Sequence, residues 1–95
     1  MISSFRDKET ELFFTEGRIP KKFGWKNIAK VALRKLDMLN FAKDLKDLRT
    51  PPGNELKALQ GNLVGFFSIR INDQWRIIFR WNQDGPYEVQ ICDYH

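Results

Sequence analysis

The 95-residue chain is predicted to fold as a single α+β domain, 1–95, with two N-terminal helices packed on a mainly antiparallel sheet of four to five strands. Two observations carry this expectation. Apolar residues recur every three to four positions in the first half of the chain, then alternate in twos from Glu55 onward. Pro- and Gly-bearing turns separate the segments, giving the order β-α-α-β-β-β-β.

The opening "MISSF" reads as a short edge strand. Asp7 is placed to cap a helix over "KETELFFTE", which Gly17 ends. "RIPKKFGW" is a loop. From Trp25 to about Ala42, Ile28, Val31, Ala32, Lys35/Leu36 and Leu39 share one helical face, while Lys26, Lys30 and Arg34 fall mostly on another. "DLKDLRTPPGN" ends that helix, because Pro51, Pro52 and Gly53 cannot continue it. "ELKAL" is a short strand and "QGN" a turn. "GFFSIRIN" sends Phe67, Ile69 and Ile71 inward and Ser68, Arg70 and Asn72 outward. "NDQ" is a tight hairpin connection to "WRIIFRW", "NQDGP" the next turn and "YEVQIC" the last strand. With helices on one face of the sheet, the other face is expected to be free for a ligand.

Composition narrows the function classes. One cysteine, Cys92, excludes an internal disulfide, and with one histidine there are too few soft ligands for zinc, so no metal or cofactor is expected. No glycine-rich phosphate loop or nucleophile elbow is present. No signal pattern or membrane-length apolar run is present, which points to a reduced, cytoplasmic setting. The net charge of +4 arises wholly in residues 1–47, which hold 11 Lys/Arg against 7 Asp/Glu; the remainder has five of each sign. That balance gives weak support to a polyanionic partner, since lysines 21, 22, 26, 30 and 35 also fit a solvated helix face.

The candidate chemistry lies in the second half. Arg70 and Arg76 fall on facing strands close to a turn, where two guanidinium groups can clamp one phosphate. Equally, exposed arginines are often solvated or paired, here with Glu55, Glu88 or Asp93. Lys57, on the preceding strand, can reach the same face. The chain ends in "CDYH": His95 can exchange protons near neutrality, Asp93 can orient it, and Tyr94 offers a ring and a phenol. Against this stands the tendency of termini to fray. Together the groups meet the needs of metal-free ribonucleolysis: deprotonating a 2′-hydroxyl, stabilising phosphate charge and protonating the leaving oxygen.

"GFFSIRINDQWRIIFRW", a short turn, an apolar strand and the closing "VQICDYH", together with "MISSF" and "LRTPPGNELKALQGN", resemble the HigB toxins of the RelE superfamily, or plasmid-maintenance killer proteins. The resemblance covers essentially the whole chain. It implies a toxin that cleaves mRNA in the ribosomal A site, and a HigA-like helix-turn-helix antitoxin through whose complex alone operator DNA is bound. Residue by residue, Asp93, Tyr94 and His95 match the family's functional C-terminal residues, and Arg76 in "QWRI" matches its phosphate-contacting arginine. Other members place the second arginine at the position of Asn72, two residues after Arg70. Lys57 stands where some members carry a catalytic histidine, which leaves the division of acid and base roles open. ParE-like toxins, which act on DNA gyrase, share the superfamily and give the alternative of a non-nuclease binder.

Overall fold

The computed structural model describes residues 1–22 and 24–93; Phe23, Tyr94 and His95 lie outside the described residues. Helix α1 runs from Lys8 to Glu16. Asp7 starts it in extended conformation, its Oδ1 accepting from the Thr10 N–H at 3.2 Å. Gly17 ends it at φ 72°, a left-handed turn that glycine enters without Cβ strain, and donates to the Phe13 carbonyl at 3.0 Å. Helix α2 spans Trp25–Phe41. It buries Trp25, Ile28, Ala32, Leu36 and Leu39 at the predicted spacing, with Lys35 buried among them. Single helical turns of 3-10 type follow at Leu45–Arg49, Pro52–Asn54 and Gly61–Leu63.

The strands are β1 (Lys57–Ala58), β2 (Phe67–Arg70), β3 (Trp75–Asn82) and β4 (Gly85–Asp93), hydrogen-bonded in that order and all antiparallel. The predicted strand at "MISSF" is reduced to one parallel bridge, Phe5 to Val89. Backbone bonds from Ser3 to Pro86 and between Ser4, Arg6 and Val89 lay this segment along β4. The Asp7 cap turns the chain into α1 before pairing extends further. The helix-facing side of the sheet carries Ile69, Ile77, Phe79, Val89 and Ile91, which join Phe13, Trp25, Leu36, Leu39 and Leu48 in the main core.

The opposite face departs from expectation. Leu59, Phe66 and Ile78 form a second small core there, with Leu63 and Cys92 against it. The loop that carries Leu59 and Phe66 folds over this part of the sheet, and a cleft remains beside the β2–β3 turn. Burial pushes the Cys92 thiol above its ordinary range, which leaves it an inert packing group. Strand β4 also carries a bulge. Ile78 pairs with Gln90 but Arg80 with Tyr87, so one extra residue is accommodated at Glu88 (φ 50°) and Val89.

Phe79 is fully buried, its ring 6.1 Å from Phe67 and 6.4 Å from Trp81. Phe79→Ala is expected to cost about 3–5 kcal/mol, read as a lower urea midpoint at unchanged slope.

Candidate active site

The β2–β3 hairpin sets the site. Arg70 pairs directly with Arg76, and Ser68 with Ile78, so Ser68, Arg70 and Arg76 project from one face. The turn holds this register through Asn72, whose Oδ1 accepts the N–H groups of Gln74 and Trp75, both at 2.8 Å. Asn72, foreseen as an RNA contact, therefore spends its carbonyl oxygen on the hairpin. Asn72 also lines the cleft described next.

Arg76 is 8% exposed. Its Nε donates to Ser68 Oγ at 2.8 Å and its Nη2 to the Glu55 carbonyl at 2.6 Å. Both of these acceptors are fixed by the fold, and together they hold the guanidinium in place. Arg70 and Lys57 stand on either side of the Glu55 carboxylate, at 3.3 and 3.9 Å, and Arg70 also reaches Asp73 at 2.5 Å. Glu55, Lys57, Arg70, Asn72, Asp73 and Arg76 line one cleft of about 340 Å³. The structure thus brings together four of the residues singled out in the sequence.

Glu55 is the residue that sequence reasoning undervalued, considering it only as an ion-pair partner of the arginines. It sits at φ 45°, ψ 56° just after the Pro52–Asn54 turn, and this left-handed kink aims its carbonyl at Arg76. Its carboxylate lies between Arg70 and Lys57. A non-glycine residue at positive φ carries no sequence signature.

The C-terminal residues are placed only in part. Asp93 is opposite Trp75 at the end of β4, one position beyond the Cys92–Arg76 pair, so its side chain leaves the other face of the sheet from Arg76. Gln74 Nε2 donates to its Oδ2 at 2.9 Å. It lines a separate cleft of about 330 Å³ with Asp7, Glu9, Lys22, Trp25 and Trp75. Within that cleft Lys22 pairs with Glu9 at 2.6 Å, and this hydrogen bond raises the lysine pKa. The expected contributions of Tyr94 and His95 fall outside the described residues.

Two helices over a four-stranded antiparallel sheet, with a cationic cleft at the end of its central hairpin, define a RelE-like toxin domain. A solved structure, the "YoeB-YefM complex from Staphylococcus aureus", shares this fold with a TM-score of 0.60, covering 100% of this chain and 95% of that one at 20% identity. The family described as "RelE-like toxin of type II toxin-antitoxin system HigB" matches residues 3–95, and the chain belongs to it. "Toxin HigB-1" of Vibrio cholerae serotype O1 is 41% identical over 85 residues, covering 85% of this chain and 84% of that protein. "Endoribonuclease HigB" of Proteus vulgaris is 28% identical over 101 residues, spanning 100% of both chains.

Half-exposed ion pairs are each worth about 0.2–1 kcal/mol. Removing the Glu55 charge should therefore help an incoming anion modestly. Glu55→Gln is expected to bind a single-stranded oligonucleotide about fivefold tighter at low salt, and the gain should vanish in concentrated salt. Fluorescence anisotropy across a salt series reads both.

Proposed function

We propose that the protein is a type II toxin that acts as a metal-independent endoribonuclease on mRNA in the A site of the translating ribosome. The observation that carries the reading is the direct pairing of Arg70 with Arg76, which lines one cleft with Lys57. It is supported by family membership and by the Proteus vulgaris relative, which is named an endoribonuclease. A 2′ oxygen attacks the adjacent phosphorus, its proton passes to a base, the P–O5′ bond breaks, and the 5′ oxygen takes up a proton.

Arg76, immobilised by Ser68 and the Glu55 carbonyl, meets the charge that builds on the phosphoryl oxygens. Arg70 and Lys57 hold the phosphodiester once it displaces the Glu55 carboxylate, and the Asn72 amide offers a further donor. His95 is the one imidazole available for proton transfer, assisted by Asp93, and Tyr94 stacks on or aligns a base. Those last three roles rest on the family resemblance. The partner that silences the toxin is a HigA-like helix-turn-helix antitoxin, and the toxin meets operator DNA only through that complex. Its site of action is the cytoplasm, where ribosomes translate.

Arg76→Ala and His95→Ala are each expected to lower cleavage about 10²–10³-fold and to relieve growth arrest while the protein stays folded. Mapping of mRNA 5′ ends after induction reads the activity directly. Codon-phased cuts in translated messages are expected. Intact mRNA with DNA-damage signalling would instead identify a gyrase-directed toxin.

A further inference from the structure

Lys35 lies on the buried stripe of α2, only 6% exposed, although the sequence groups it with the solvated lysines of that helix. Its ammonium donates to Asn54 Oδ1, a neutral acceptor. Asn54 is itself fully buried, and its Nδ2 donates to the carbonyls of Leu48 at 3.0 Å and Thr50 at 3.3 Å. The charged groups that act on Lys35 are Arg34 from its own helix and Arg70 from β2, both cations. No carboxylate among the described residues forms an ion pair with it. Burial first, then those two repulsions, lower its pKa below the ordinary 10.5.

A buried ammonium with one neutral partner and two like charges nearby opposes folding. A methionine of similar length would fill the same space free of the charge penalty, but would leave the fully buried Asn54 Oδ1 without its donor. The charge at this position is therefore tied to Asn54, on the turn that leads into the cleft. Asn54 precedes Glu55, whose carbonyl holds Arg76 and whose carboxylate stands between Arg70 and Lys57.

We infer that Lys35 is a positioning residue of the cleft: its ammonium clamps Asn54, fixes the turn that presents Glu55 to Arg76, and adds positive potential that a bound phosphodiester compensates. The inference deepens the nuclease reading and rests on it. In the free protein the charge is borne at a cost in stability, while the Glu55 carboxylate pairs with Arg70 and Lys57. Once a phosphate occupies the cleft beside Arg70, the same charge favours the complex.

The sign of the pH dependence follows. Because the folded value lies below 10.5, the unfolded chain binds more protons between the two values, and stability rises with pH through that window. Lys35→Met removes this rise. It is expected to melt within a few degrees of wild type at pH 7, because the relieved charge offsets the donor lost to Asn54, and yet to cleave ribosome-bound mRNA with kcat reduced about tenfold or more. In the wild-type protein, NMR titration of the Lys35 Cε resonance should move to higher pH when an uncleavable 2′-O-methyl RNA oligonucleotide saturates the cleft. This measurement decides the question even if the variant fails to fold. Undiminished cleavage by Lys35→Met beside an inactive Arg76→Ala overturns the inference and leaves the site reading standing. A lowered melting temperature with an unmoved Lys35 titration makes the residue a structural strut and also overturns it. Full activity of folded Arg76→Ala removes the site reading, and the inference with it.

Discussion

The guanidinium of Arg76, set into the surface of the sheet, is held by a hydroxyl and a peptide carbonyl that the fold supplies. This arrangement constrains everything around it. Ser68 has to be buried on the neighbouring strand, which fixes the β2–β3 register; the carbonyl has to arrive from an irregular segment, which requires the kink at Glu55. The fold thereby delivers a guanidinium fixed in place before any ligand arrives, a geometry that suits chemistry in which negative charge grows on a phosphate.

The regular parts of this design were legible in the sequence because they repeat. The 3.6-residue stripe of α2 and the alternation through "FSIR" and "WRIIFRW" each state their geometry many times over, and the Arg70–Arg76 pairing follows from the hairpin they predict. Irregular parts state theirs once or not at all. Nothing in "PPGNE" announces that Asn54 will be buried or that Glu55 will adopt a left-handed conformation. Lys35 fell at an apolar position of the stripe, but its residue type argued for solvent, and burial won because Asn54 was there to accept it. The second small core was missed for a related reason: Leu59 and Phe66 reach Ile78 by way of a loop, whose path periodicity does not encode.

Charge in the cleft is layered. Glu55 and Asp73 pair with cations that remain partly open to solvent, where such pairs are weak and readily exchanged. Beneath them, Arg76 is fixed by Ser68 and the Glu55 carbonyl, and Lys35 by Asn54. On the proposed reading, an anion entering from solution exchanges with the outer carboxylates without disturbing the inner layer.

The bulge at Glu88 and Val89 has a reach beyond its own strand pair. A strand shows its side chains to alternate faces, so one added residue reverses the facing of all that follow. Cys92 shares a face with Arg76, and Asp93 points away from it, because of an irregularity three to five residues upstream. The facing of Cys92 and Asp93 is therefore set at a position outside the cleft. Closing the bulge with every residue kept would slip the pairing by one and set Ile91, not Cys92, opposite Arg76, whereas deleting one of its two residues would keep the pairs on either side and leave the facing as it is.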